Sequence, residues 1–290
     1  MGFDSKIILC GMVVMSTYSA ASYAADMFGN PTLIGAPGKI EIQIGGGKTS
    51  KFELESSRTT GITQIGTFSE SHAVPAFSGT LEEDQVFVGL AYSPSARTQL
   101  FANLGTGKDS GQKSSSHGIG VKISPQTEAP EVRMGLMLRA QQVKVDFEGP
   151  FVLSYPHNQV NDGIETHYWV GTPTNGTEQI KYTRLDAFFG ASTSTGVIRP
   201  YGGLGLTHIS GTDTVAINDT ITVYSYPNAG GPAIPSTQNV SFNAKSDISG
   251  SEYFTGVLGL SINPDSDLGM NVEIQEGVQR SFFLSGSIRF

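Results

Sequence analysis

From about residue 38 onward, apolar and polar residues alternate with a period of two in segment after segment. The last ten residues show it best. Phe282, Leu284, Gly286, Ile288 and Phe290 fall on one face of an extended chain, and Ser281, Phe283, Ser285, Ser287 and Arg289 fall on the other. The same rhythm runs through Leu268, Met270, Val272 and Ile274, through Phe254, Leu258, Leu260 and Ile262, and through Val132, Met134, Leu136 and Leu138. Further strands are predicted within residues 179–192, 197–210 and 97–107, around Ile119–Val121–Ile123 and Val86–Val88–Leu90–Tyr92, and over 38–56, where Ile40, Ile42 and Ile44 are in phase.

These segments number about ten, with eight or twelve as alternatives. They are joined alternately by short connections (93–96, 125–130, 193–196, 263–267) and mostly longer ones (57–81, 108–117, 147–177, 211–247). Short turns on one side and long loops on the other, with an even count that puts both termini on the short-turn side, fit a membrane-spanning barrel. An open sheet in hydrocarbon would leave unpaired N–H and C=O groups, each costing several kcal/mol, so the sheet has to close. The expected fold is therefore all-β, a single antiparallel up-and-down transmembrane β-barrel over residues 38–290. The competing soluble sandwich or lipocalin-like barrel would turn its apolar face inward.

Composition narrows the picture. The 290 residues include 36 glycines and only 15% charged residues, and no stretch of 18 apolar residues follows residue 25, so no helix can span a bilayer. A net charge of −8 without any lysine or arginine run argues against nucleic acid as a partner. Lys6, the apolar run Ile7 to Met15 and the small residues Ser16 to Ala25 read as an export signal over residues 1–24, cleaved after Ala24. Cys10, the only cysteine, falls inside it, which leaves the mature chain without disulfides or cysteine-ligated metals. Residues 25–37 then form an N-terminal periplasmic arm.

The terminal stretch Phe282-Phe283-Leu284-Ser285-Gly286-Ser287-Ile288-Arg289-Phe290 resembles the insertion signal of Gram-negative outer-membrane barrels, with Phe282, Leu284, Gly286, Ile288 and Phe290 in the matching places. Arg199-Pro200-Tyr201-Gly202-Gly203-Leu204-Gly205-Leu206 resembles the glycine-rich strand of small opacity-type and OmpA-type barrels. The resemblance implies a bacterial outer-membrane location, outer-membrane lipid as surroundings and the barrel-assembly machinery as a partner in biogenesis. It implies no activity.

Chemistry is sparsely signalled. Gly45-Gly46-Gly47-Lys48-Thr49 looks like the end of a phosphate-binding loop but lacks the first glycine and a following helix. HExxH, GxSxG and paired-cysteine spacings are absent, so neither metal nor cofactor is expected. An omptin-like hydrolase would need an acid and histidine pair, for which His208 with Asp213 and Glu165 with His167 are the nearest candidates. Strand parity turns Lys39, Glu41, Lys122, Arg133, Arg139, Arg184, Asp186, Arg199, Glu273 and Arg289 toward the lumen. About ten strands leave a narrow or filled interior, because eight are just filled by side chains and 16 to 18 make an aqueous channel. The leading expectation is a non-enzymatic barrel with a structural or surface-interaction role, in which aromatics of the 148–170 loop could meet an extracellular partner. A small porin-like channel and a surface hydrolase are the alternatives.

Overall fold

The computed structural model describes residues 27–65, 68–74, 78–80, 83–109, 112–125, 131–152, 166–169, 173–193, 195–226, 234–250, 253–277 and 279–290. Its strands are β1 (Ile40–Ser56), β2 (Thr59–Ile65), β3 (Phe68–Val74), β4 (Ser78–Thr80), β5 (Glu83–Ser95), β6 (Thr98–Asp109), β7 (Gln112–Ile123), β8 (Val132–Val152), β9 (Thr166–Trp169), β10 (Pro173–Thr193), β11 (Ile198–Tyr226), β12 (Ile234–Gly250), β13 (Phe254–Ile262), β14 (Leu268–Gly277) and β15 (Gln279–Arg289). Ten of these close a ring in the order β1-β5-β6-β7-β8-β10-β11-β13-β14-β15, all antiparallel. The seam joins first strand to last, from Glu41 opposite Arg289 to Phe52 opposite Gln279. It is latched at the bottom by Phe290 N donating to Ile40 O at 2.9 Å.

Around the lower part of the ring the apolar face points outward. Leu104, Leu204, Phe254 and Leu258 are each about two-thirds exposed, while the residues between them on the same strands turn inward. Such a belt is stable only against lipid, and a closed ring leaves no strand edge within it. Tight connections at 96–97 and 263–267 lie on the same side as both ends of the ring, the side that faces the periplasm in bacterial outer-membrane barrels.

Above the belt the pattern inverts. On β8 the outward series Val132, Met134, Leu138 gives way to the inward, buried Val143, Val145 and Phe147. On β10 outward Leu185 and Phe189 are followed upward by inward Tyr182 and Ile180, and on β11 outward Leu204 and Leu206 by inward Ile209 and Ile217. The outer surface there carries Lys144, Lys181 and Thr214, all exposed. The solvent on the outside has changed from lipid to water, so the apolar face turns in as in a soluble barrel.

This upper part is built from segments expected as loops. β11 and β12 form a hairpin from Ser210–Ser249 to Ser225–Ile234, with β2, β3 and β9 attached beside it. β12 stacks on top of β13 along the same edge of β11, and its lower end pairs with β1, Leu54 opposite Gly250. A β-bulge between Thr49 and Lys51 shifts the parity of β1, which turns Leu54 inward at 1% exposure although Ile40, Ile42 and Ile44 of the same parity face lipid. Above the belt β12 thus replaces β13, β14 and β15, and the ring narrows from ten strands to the eight of β1, β5, β6, β7, β8, β10, β11 and β12.

Candidate functional site

The feature that dominates the lumen is the chain's own N-terminal segment. Of residues 25–37, expected as a periplasmic arm, Met27 to Thr32 run inside the barrel and are buried. Phe28 N and Gly29 N donate to the two carboxylate oxygens of Glu273 at 2.8 and 2.7 Å, and Tyr201 OH donates to the same carboxylate at 2.9 Å. Lys122 Nζ donates to Asn30 O at 3.3 Å, Asn30 Nδ2 to Ser261 Oγ at 3.2 Å, and Ser285 Oγ to Met27 Sδ at 3.4 Å. The two partners of the Glu273 carboxylate on the segment are backbone amides, so no sequence motif in residues 27–32 advertises the contact. The other side of the contact is shaped by small residues. A Cβ at Gly135 would stand 2.4 Å from Pro31 O and 2.9 Å from Thr32 N, so only glycine lets the segment pass β8 there.

Phe28 is the centre of the segment. Its ring meets the Phe188 ring at 5.2 Å between centroids, and the guanidinium groups of Arg139 and Arg184 lie 4.9 and 5.6 Å from its centroid. Both arginines are held by one carboxylate. Arg139 Nε and Nη2 donate to Asp186 Oδ2 at 2.9 and 2.8 Å, and Arg184 Nε and Thr207 Oγ1 donate to Oδ1 at 2.8 and 2.7 Å. Arg184 Nη1 reaches Gln279 Oε1 at 2.7 Å and Arg139 Nη1 reaches Met27 O at 3.3 Å. The tier therefore spans from β8 across β10 to β15 and caps the segment from above. Beside Phe28 the lumen keeps a pocket of about 40 Å³, room for a water or two.

The other charges expected to face the lumen lie near the short-turn end of the ring, not all of them inside it. Glu41 accepts from Arg289 Nε at 2.9 Å, and Arg199 pairs with Asp265 of the turn after β13. Arg133 is half-buried on β8, its Nε without a partner, and Lys39 is exposed, one residue before β1. At the seam Phe282, Leu284, Gly286, Ile288 and Phe290 all face outward and are exposed.

Higher still, Leu54, Val143, Val145, Phe147, Ile180, Tyr182, Ile209 and Ile248 form one buried cluster inside the narrowed ring. Above it, Ile217, Val240, Phe242 and Ala244 form a second. Among them sit two inward carboxyls, Glu178 and Asp213, on β10 and β11. Ile180 is the residue opposite Asp213 and Val215 the one opposite Glu178, so the two acids are diagonal neighbours. Burial, with the charge of Asp213 next, pushes the Glu178 pKa up to about 8, and burial pushes that of Asp213 up to about 6. Protonated Glu178 donates its hydrogen bond to Asp213.

This arrangement separates the pairing suggested for catalysis. His208 is exposed on the outer wall, whereas Asp213 faces inward, because five residues apart on a strand means opposite faces. Of the second pair, Glu165 lies outside the described residues, and His167 is in β9 opposite Ser225. Tyr155 and His157, two of the loop aromatics, also lie outside them. Among the described residues no group of three or more His, Cys, Asp or Glu is placed to hold a metal.

No family model and no curated protein matches the sequence. Solved structures that resemble it include the outer membrane protease OmpT from Escherichia coli (10% identity, 93% of this chain and 98% of that one, TM-score 0.37). Others are the translocator domain of the autotransporter NalP from Neisseria meningitidis (10%, 88% and 88%, 0.35) and OprG from Pseudomonas aeruginosa (7%, 89% and 98%, 0.33). At such values the likeness transfers no activity. The chain's own geometry, a closed ten-stranded antiparallel ring with an apolar outer belt and a polar lower lumen, makes it a membrane-spanning β-barrel, the architecture it shares with these outer-membrane proteins.

Proposed function

We propose that this chain is a non-enzymatic outer-membrane barrel with a structural or surface-interaction role, whose lumen is closed in the resting state. The observation that carries the proposal is the segment Met27–Thr32, fixed inside the membrane part of the barrel by Glu273, Lys122, Arg139 and the Phe28 contacts. The apolar cluster of the narrowed upper ring is a second seal in series with it. The hairpins above the belt then present a rigid, water-facing platform on the cell surface, suited to contact with a partner.

Conductance in planar bilayers tests this against the porin-like alternative. The purified mature chain is expected to give no reproducible steps at either polarity. Steady ion-selective steps that change size in Arg133→Ala would establish an open pathway and overturn the closed lumen.

A further inference from the structure

The outer wall of β6, β7, β8 and β10 combines two features that point to one ligand. Strand register arranges its outward residues in rows. Leu100, Val121, Leu138 and Ala187 form one row, and Ile119, Ala140, Leu185 and His208 form the next above it. Ala140 and Ala187 are small and sit between larger neighbours, so these rows enclose a shallow apolar groove of about 950 Å³ with His208 and Tyr253 at its edge. That volume lies in the range of ligand sites, roughly 300–1,000 Å³.

Two rows above the groove, past Gln142 and Thr183, the wall turns cationic. Lys144 lies opposite Lys181, and in the next row Lys108 lies opposite Lys113, all four exposed. Like charges directly opposite on neighbouring strands destabilise a sheet unless something neutralises them. On β5, β6, β7, β8 and β10 the acids in these two rows are Asp146, which accepts from Lys144 at 2.7 Å and from Gln179 at 2.8 Å, and Asp84, opposite Lys108; the exposed Glu148 stands one row higher on β8, and Asp247 of β12 ends the row of Lys144 and Lys181. Four lysines against two acids in these rows of the five strands stand out in a chain of net charge −8.

Their height fits a lipid headgroup. Lys144 and Lys181 lie four residues above Ala140 and Leu185, about 13 Å along the strand and roughly 10 Å along the membrane normal for a strand tilted by about 40°. A lysine that bends back toward the membrane brings its ammonium into the headgroup layer, roughly 5–8 Å thick on each side. We propose that this wall binds a phosphorylated, multiply acylated lipid of the outer leaflet, with an acyl chain in the groove and phosphates on Lys113, Lys144 and Lys181. Charge complementarity above and an apolar groove below are what select such a lipid over a neutral one.

Native mass spectrometry of the full barrel in detergent, titrated with lipid A or with phosphatidylglycerol, tests the site. Lipid A is expected to bind at least tenfold more tightly than phosphatidylglycerol. The triple variant Lys113→Gln, Lys144→Gln, Lys181→Gln is expected to lose at least tenfold in lipid A affinity, while the corresponding triple replacement by arginine keeps it. Ala140→Phe with Ala187→Phe, which fills the groove and leaves the charges, is expected to lower lipid A binding as well, and it decides the matter if the glutamine variant does not fold. Equal binding of the two lipids, no lipid A binding by the native barrel, or undiminished binding in the groove-filled variant would overturn the proposal.

Discussion

Single residues in the lumen act through what they leave behind when removed. Asp186 holds Arg139 and Arg184, whose side chains are 1% exposed. A buried ion pair adds little net stability over an apolar equivalent, but losing one partner strands the other charge at a cost of about 3–5 kcal/mol. Asp186→Ala strands two, so it is expected to lower the thermal unfolding midpoint well beyond Asp186→Asn, which keeps hydrogen-bond acceptance from Arg139 or Thr207. Gly135 works sterically. Because a Cβ there would meet Pro31 backbone at 2.4 Å, Gly135→Ala is expected to displace the N-terminal segment and expose the amides of Phe28 and Gly29 to hydrogen exchange. Gly89→Ala serves as the control, since its nearest contact would be an ordinary 3.6 Å. Unchanged protection in Gly135→Ala would show that the segment is not held by close passage of β8.

At the scale of elements, the decisive event is the change of parity where a strand leaves the membrane. The outward Leu138 and inward Val143 of β8 belong to one continuous strand, yet their apolar faces are opposite. Alternation sustained in one phase therefore ends at the belt on each strand, and the residues beyond it read as loops. The residues themselves favour strand throughout: 212–223 are rich in threonine, valine and isoleucine, which suit a pleated surface. The upper ring also holds a pH-dependent pair. Glu178 and Asp213 have pKa values raised to about 8 and about 6, so the folded upper ring binds more protons than the unfolded chain between about pH 4 and 8. Stability from this pair is complete below pH 4 and is lost as pH rises toward 8, a change on the order of a few kcal/mol. Hydrogen exchange in the upper parts of β10 and β11 is expected to quicken from pH 5 to pH 9, after correction for intrinsic rates, and Glu178→Gln is expected to flatten that dependence. A native profile that is already flat would rule the pair out as a stabilising element.

At the scale of the whole molecule, two seals lie in series along one axis. The N-terminal segment closes the wide, polar, ten-stranded part, and the apolar cluster closes the narrow eight-stranded part. Deleting residues 25–37 is therefore expected to leave bilayer conductance at baseline, because the upper seal persists. Steps from that deletion alone would mean that the upper ring opens. The same division sets the surface: lipid around the lower ring, water around the upper one, and a lysine-rich wall at the junction of the two.

The ring of ten strands, its antiparallel order and the outward belt were legible in the amino-acid sequence, because period two against lipid leaves an apolar mark on every strand, most plainly from Leu268 to Phe290. Parity alone also turns Arg139, Arg184, Asp186 and Glu273 inward, and all four are buried. What fills the lumen was decided only by tertiary structure. Met27 to Thr32 bind largely through backbone amides and carbonyls that every residue possesses, and their receptors come from strands more than 90 residues away. The upper ring depends likewise on which strand meets which, as when β12 closes against β1 through Leu54 and Gly250. Local alternation specifies a face, but the medium that the face meets is fixed only when the barrel has assembled and each level has found lipid, water or its own chain.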